Sequence, residues 1–361
     1  MAKKIRIKDI AQKAKVSTGT VDRVLHNRGN VSAEKRARVE AVMDELGYEP
    51  NIIARTLASN RIVRIAILLP LPAIDPYWAA PVKGVDKAWQ SVRHYGVEAD
   101  IYYFNLFHQE NFTEKANEAL SKKVDGLVFP PVFLKAANQL LAKCQERGIP
   151  VSIFNTELEN SSILTYVGQN SYQSGVLAGK LLSLNLIETG KVVIVNLSKE
   201  PANAKHLTDK EQGLLDYFAK AGIGDEKRIL RFISEDFDHL PLLEKQLRNF
   251  LRNEPTLRGM FVTNSRAYRI LQALPADLLS GIRIVGFDLL PENIEFLREG
   301  RIDFLINQNP VEQGYMALMS LVNKLIFDKE VPLIQHLPLD IVVAENAKYY
   351  LKREESYALT V

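Results

Sequence analysis

Residues 7–59 read IKDIAQKAKVSTGTVDRVLHNRGNVSAEKRARVEAVMDELGYEPNIIARTLAS, and their apolar spacing is helical throughout. Asp9 to Lys15 predicts a first helix, and Ser17 is placed to cap a second through its hydroxyl. A start at Thr18 turns Val21, Val24 and Leu25 inward toward Ala11, Ala14 and Val16. The 3.6-residue period then leaves Thr18, Gly19, Asp22, Arg23 and His26 outward. Small residues at the start, with hydrogen-bonding side chains behind them, suit a helix whose N-terminal end enters a major groove; alone, the same five residues would also make an ordinary solvated face. Asn27-Arg28-Gly29-Asn30 is a loop of turn formers. Ser32 caps a third helix with the stripe Val39, Val42, Met43 and Leu46, ended by Gly47. After Pro50, Asn51 caps a short helix from Ile52 to Ser59 that needs a partner, either DNA or a second copy.

Charge follows the same division. Residues 1–60 hold 12 Lys/Arg against 7 Asp/Glu, a charge of +5, whereas the remaining 301 hold 34 against 36, or −2. A basic head on a faintly acidic body implies a polyanionic partner for the head alone. The single cysteine, Cys144, excludes a disulfide framework and a multi-cysteine metal site. MAKKIRIKDIAQ has no apolar h-region, and no apolar run reaches the ~18 residues of a membrane span, so a cytoplasmic protein without membrane contact is expected.

Beyond Arg61, strand-like and helix-like segments alternate. Ile62–Leu69 is nearly all apolar, as a buried parallel strand should be, and Val97–Phe104, Val124–Phe129, Val151–Phe154, Lys191–Asn196, Arg228–Ile233, Gly259–Thr263, Ile282–Phe287 and Phe304–Asn307 follow. Amphipathic segments such as Phe112–Lys122, Lys135–Arg147, Gly175–Leu186 and Lys210–Ala221 separate them. Such alternation means open, doubly wound parallel sheets, and the strand number calls for two lobes, dividing near Glu157–Leu164. Ligands of these sheets bind beyond the carboxyl ends of the strands. Those ends carry Asp75-Pro76-Tyr77-Trp78, Asn155-Thr156, Asn170, Asn264, Asp288 and Gln308. Any one of them is an ordinary strand-end cap, but six ends in succession point to one polar site with an aromatic wall, suited to a small polyhydroxyl ligand.

The headpiece resembles that of the lactose-repressor (LacI) family of bacterial transcription regulators. V-S-x-x-T-V-x-R-V-L from Val16, G-x-V-S from Gly29 and L-G-Y-x-P-N from Leu46 all fall in register. The resemblance implies base and phosphate contacts from Thr18, Gly19, Asp22 and Arg23, with His26 on the same face, and backbone contacts from Ser17, Thr20, Asn30 and Ser32. It implies that Leu57 wedges into the minor groove, with Asn51, Ala54 and Ala58 against the groove or a partner's hinge. Asp22 stands where the family has serine; it could accept from a cytosine N4, pair with His26 or be solvated. The body is similar to periplasmic sugar-binding proteins, which implies effector contacts from Asp75, Tyr77, Trp78, Asn155, Thr156, Asn170, Asn264, Asp288 and Gln308. Where relatives place a ligand-gripping arginine this chain has Thr208, with His206 and Lys210 close by.

The expected organisation is therefore an all-α helix-turn-helix headpiece (1–50), a hinge (51–61) and a two-lobed α/β body (62–361). The lobes are expected at about 62–157 and 165–300, with C-terminal crossovers. The expected function is a ligand-responsive repressor, a homodimer on palindromic double-stranded DNA, sensing a sugar or derivative; a sugar acid, polyol or nucleoside is the alternative ligand. A transport-linked sugar receptor shares the body but has no use for the head. G-x-G-x-x-G, Walker A, H-E-x-x-H and G-x-S-x-G are all missing from the sequence, so no enzyme, cofactor or metal is expected.

Overall fold

The structure is a computed structural model that describes residues 5–25, 29–46, 48, 62–158, 162–184, 190–199, 205–222 and 228–356, the last five without side-chain detail. The chain forms two compact units, Met1–Arg61 and Ile62–Val361.

In the first unit, α1 (Ile7–Lys13), α2 (Thr18–Leu25) and α3 (Ala33–Leu46) enclose Ile10, Ala11, Ala14, Val21, Val24, Val39 and Val42. Each start has a local cause. The Arg6 N–H donates to Asp9 Oδ2 at 2.8 Å, and Thr20 N–H donates to Ser17 Oγ at 3.1 Å. Lys35 N–H reaches Ser32 Oγ at 3.4 Å. Lys15, at φ 53°, makes the sharp turn between α1 and α2. A Lys13–Glu45 pair at 2.7 Å ties α1 to α3, though at this exposure such a pair contributes only ~0–1 kcal/mol. The core comes from one stripe of each helix, which leaves the opposite stripe of α2 in solvent.

The second unit holds two six-stranded sheets. The first is ordered β11-β5-β4-β3-β1-β2 and the second β12-β10-β9-β8-β6-β7, so the second repeats the order of the first. Their strands are β1 (Val63–Pro70), β2 (Val97–Phe104), β3 (Gly126–Phe129), β4 (Val151–Phe154), β5 (Thr165–Gly168), β6 (Lys191–Leu197), β7 (Ile229–Ser234), β8 (Leu257–Val262), β9 (Arg283–Phe287), β10 (Phe304–Asn307), β11 (Ile334–His336) and β12 (Asp340–Val342). Pairing is parallel throughout except between β10 and β12. The helices on the sheet faces are α4 (Ala79–Val92), α5 (Gln109–Ser121), α6 (Leu134–Glu146), α7 (Ser171–Ser183), α8 (Lys205–Lys220), α9 (Leu240–Asn253), α10 (Ala267–Ala273), α11 (Pro291–Arg298), α12 (Pro310–Leu325) and α13 (Ala347–Ser356).

The lobe boundary differs from the expected one. β5 pairs with β4, Ser152 opposite Thr165, so it completes the first sheet, and the chain crosses only after Gly168. The four residues of β5, Thr165-Tyr166-Val167-Gly168, are all buried but lack the apolar run by which the equally short β4 and β10 are legible. A second crossing follows β10, and α12 returns to pack on α4 of the first lobe. A third lies between β11 and β12. The first lobe thus also contains α12 and β11, beyond the expected 62–157, and the second starts at α7.

Glycine sets the helix packing in each lobe. Gly84 of α4 lies against the Val311 carbonyl of α12, and Gly314 of α12 against that of Pro81. The same exchange occurs between α7 and α8: Gly175 meets the Lys210 carbonyl and Gly213 that of Tyr172. A Cβ at any of the four would overlap a backbone oxygen. These contacts hold α4 on α12 and α7 on α8 at backbone-to-backbone distance.

Candidate functional site

The strand ends of the two lobes converge on a cleft of about 230 Å³, smaller than the ~300–1,000 Å³ of pockets for drug-sized ligands. From the first lobe it is lined by Asp75, Tyr77 and Trp78 after β1, Leu106 and Phe107 after β2, Pro131 to Phe133 after β3, and Asn155 and Thr156 after β4. From the second come Ser198 and Lys199 after β6, His206, Leu207 and Lys210 on α8, Asn264 to Arg266 after β8, and Gln308 after β10.

Asp75 begins a short 3-10 turn over Pro76–Trp78, its Oδ1 accepting from the Tyr77 N–H at 3.1 Å. That turn directs the Tyr77 hydroxyl at Asn155, whose Nδ2 donates to it at 2.6 Å. Asn155 and Asp288 occupy equivalent places in the two lobes, both left-handed, with φ of 70° and 64°. Their N–H groups donate to Val167 and Ile306 carbonyls of the neighbouring strands, each at 3.1 Å. Asn and Asp tolerate this region best among residues with a Cβ, which explains them at these strand ends.

Several bonds run between the lobes. Arg266 forms an ion pair with Asp75, the two side chains only 13% and 11% exposed. Its Nη1 also donates to the Leu197 carbonyl at 2.8 Å, and its guanidinium stacks 4.5 Å from the Phe237 ring centre. Thr156 Oγ1 lies 3.4 Å from His206 Nδ1, and the Phe107 and Phe237 rings approach at 6.4 Å. Gln169 Nε2 donates to Gln308 Oε1 at 2.5 Å.

Burial tunes the floor. Lys210 is 1% exposed, its Nζ donating to the Thr263 carbonyl at 2.9 Å and lying 3.6 Å over the Phe287 ring. Desolvation lowers its pKa to about 7, against an opposing pull from Asp288. His206 is driven to about 3 by desolvation and then by the Lys210 and Arg266 charges, so it is neutral at ordinary pH. Desolvation raises the pKa of Asp288 from its ordinary value, against hydrogen bonds from Ser265 and Gln308, both at 2.6 Å.

Eight of the expected effector residues line this cleft: Asp75, Tyr77, Trp78, Asn155, Thr156, His206, Asn264 and Gln308. Three do not. Asn170 caps α7, accepting from the Gln173 N–H at 2.9 Å. Thr208 is exposed and donates to the Lys205 carbonyl at 2.7 Å. The α-helical period explains the latter: His206 and Lys210, four apart, share the cleft face, and Thr208 between them turns to the other side. Asp288 lies beneath the wall and holds Ser265 and Gln308, which line it. Asn264 lines the cleft, but both ends of its amide serve the backbone, at Leu197 O and Arg266 N–H. Among the charged lining residues, the sequence reading missed Arg266, Lys199 and Lys210. A signal existed in Arg266, two residues past a strand-end amide.

On the first unit, Ser17, Thr18, Gly19, Arg23, Asn30 and Ser32 are exposed, and Thr20 and Asp22 half-buried. The Ser17 and Thr20 hydroxyls lie 3.0 Å apart, so the cap orients both. His26, Asn51, Ala54, Leu57 and Ala58 fall outside the described residues.

A two-lobed α/β body with a ligand-sized cleft at its strand ends, in one chain with a three-helix unit, defines a binding protein joined to a helix-turn-helix. Residues 65–329 match the periplasmic binding protein domain, and residues 6–51 match the lacI family of bacterial regulatory proteins. The chain is 26% identical to a ribose operon repressor of Halalkalibacterium halodurans, covering 79% of this chain and 80% of that one. It is 24% identical to a sucrose operon repressor of Lactococcus lactis subsp. lactis, over 93% and 98%. A crystal structure of a putative LacI transcriptional regulator from Bacteroides fragilis superposes with a TM-score of 0.72 at 26% identity, covering 80% of this chain and all of that one. The protein belongs to the lacI family of DNA-binding transcription regulators and carries a periplasmic-binding-protein body. Among the described residues, no helix is long and apolar enough to cross a membrane.

Proposed function

We propose that the protein is a cytoplasmic, non-enzymatic repressor, dimeric on a palindromic operator, whose affinity for DNA is set by a carbohydrate-class effector held in the cleft. One observation carries this reading. Strand-end side chains of both lobes meet on one small polar cleft with aromatic walls, in a chain headed by a lacI-family helix-turn-helix. Amides, hydroxyls and Asp75 are the groups that hydrogen-bond sugar hydroxyls, and Tyr77, Trp78, Phe107 and Phe133 supply faces for ring C–H groups. The relatives' names, ribose and sucrose operon repressors, support the same ligand class.

Both lobes contact the ligand, so the ligand favours whichever lobe arrangement brings these walls together. It can shift DNA affinity only through that preference, and such couplings amount to about 1–3 kcal/mol. On the headpiece, Thr18, Gly19, Asp22 and Arg23 at the start of α2 face the major groove, and Ser17, Thr20, Asn30 and Ser32 the phosphates.

The test is selection of duplexes from a random library by the full chain, followed by fluorescence anisotropy of the enriched sequence with and without sugars. A palindromic consensus whose affinity falls steeply with salt is expected. Absence of a consensus, or a flat salt dependence, would remove the DNA reading.

A further inference from the structure

The second lobe presents a cationic wall to the cleft. The charged described residues lining the cleft, His206 apart, are Lys199, Lys210 and Arg266, all from the second lobe, and one carboxylate, Asp75, from the first. His206 on the same wall is held neutral and adds nothing to this charge. Lys199 lies 4.2 Å over the Phe107 ring and 3.6 Å from Asp238, both side chains of that pair half exposed, so its charge is only partly compensated.

Arg266 is the fixed point of the wall. The Leu197 carbonyl and the Phe237 face immobilise its guanidinium, and Nη2 is directed across the cleft at the Asp75 carboxylate. A planar fork pre-oriented on a carboxylate matches any carboxylate or phosphate in bidentate fashion. Asp75 meets the guanidinium through Oδ2 alone, while its Oδ1 caps the Tyr77 turn. Oδ2 can therefore be replaced at Arg266 without undoing the turn.

We propose that the effector is an acidic carbohydrate, a monosaccharide-sized polyol bearing a carboxylate or a phosphate, whose anionic group displaces the Asp75 carboxylate from Arg266. This rests on the cleft being the effector site. A neutral sugar would bring no counter-charge to Lys199, which Asp238 compensates only in part, while Lys210, its pKa lowered to about 7, is only partly charged at neutral pH. An acidic one keeps the guanidinium paired throughout and adds a counter-ion for Lys199.

Asp75→Asn separates the two kinds of ligand, because it keeps the Oδ1 acceptor of the turn and removes the competing charge. For an acidic ligand it tightens binding several-fold, because the ligand no longer has to break a largely buried ion pair. For a neutral sugar that donates hydroxyls to Asp75, it weakens binding. The experiment titrates the full chain, by thermal shift and calorimetry, with D-gluconate, D-glucuronate, D-galacturonate and D-glucose 6-phosphate beside neutral D-glucose and D-galactose. Expected is one acidic probe binding at least tenfold tighter than its neutral parent, tightened by Asp75→Asn and lost in Arg266→Gln; the carboxylate and phosphate arms tell which group is read. Tighter binding of a neutral parent, or weakening of the acidic probe by Asp75→Asn, overturns the acidic effector and leaves the cleft reading standing. Failure of every probe removes both.

Discussion

Gln169 and Gln308 stand at the first two crossings between the lobes, and their side chains join at 2.5 Å, Nε2 of the first donating to Oε1 of the second. The bond continues inward. Gln308 Nε2 donates to Asp288 Oδ2, which also accepts from Ser265, and Gln308 and Ser265 both line the cleft. The third crossing is tied in beside them, through Leu337 N–H to Gly168 O at 2.7 Å and Asn309 Nδ2 to Pro338 O at 3.1 Å. The crossings between the lobes are thus bonded to groups that line the cleft.

Replacing the central amide should break this chain with a recognisable pH signature. Gln308→Glu removes the donor to Asp288 and sets a second carboxylate against it. With both ionised the cost should be about 3–5 kcal/mol, as for an uncompensated buried charge. Both carboxyl groups would then have raised pKa values in the folded state, so stability is lost as pH rises. Urea unfolding should place the variant nearer wild type at pH 5 than at pH 8, and an equal deficit at both would refute the network.

The glycine contacts predict a large effect from a single methyl. Gly213→Ala places a Cβ on the Tyr172 carbonyl oxygen, and neither backbone can yield without separating α7 from α8. Overpacking of this kind costs about 1–3 kcal/mol and sometimes more, and this position belongs at the upper end. A midpoint within 0.5 kcal/mol of wild type would show that the helices slide apart freely.

Gly19 makes the opposite case. It lies exposed in the first turn of α2, and a Cβ there would have only Ser17 Oγ near it, at 3.8 Å. Gly19→Ala should therefore stabilise the headpiece by about 0.5–1 kcal/mol. If this helix end meets base edges, the same methyl should weaken operator binding at least several-fold. Stabilisation with unchanged operator affinity would take Gly19 out of the interface.

Much of this was legible in the sequence, because buried parallel strands are nearly continuous apolar runs. Val97–Phe104, Val151–Phe154 and Phe304–Asn307 coincide with β2, β4 and β10. What failed was short or weakly apolar. β11 and β12 have three residues each, and β5, as long as β4 and β10, reads Thr165-Tyr166-Val167-Gly168 without a comparable apolar run; missing it shifted the lobe boundary. The cleft residues were legible where they directly follow strands. Lys210 was not read as a site residue, because α8 begins at Lys205 and the expected helix began five residues later. With the first turn restored, Lys210 falls in the stripe Leu207, Leu214 and Phe218, and a lysine at a core position is the sign of a special environment.

That environment makes Lys210 the most direct test of the cleft floor. Its folded-state pKa is about 7, against 10.5 in the free side chain, so between those values the unfolded chain binds the extra proton. Stability attributable to Lys210 therefore rises with pH across that window, by at most about 1.4 kcal/mol per unit, and is lowest at and below pH 7, where the folded state must carry the buried charge. Lys210→Met keeps the apolar stem and cannot titrate. Its stability relative to wild type should be greatest near pH 6.5 and should decline by about 2 kcal/mol or more by pH 9.5, other lysines cancelling in the difference. Urea midpoints at half-unit steps measure it. A difference independent of pH would mean that the Lys210 ammonium is solvated at all pH values and that the floor is wetter than its 1% exposure implies.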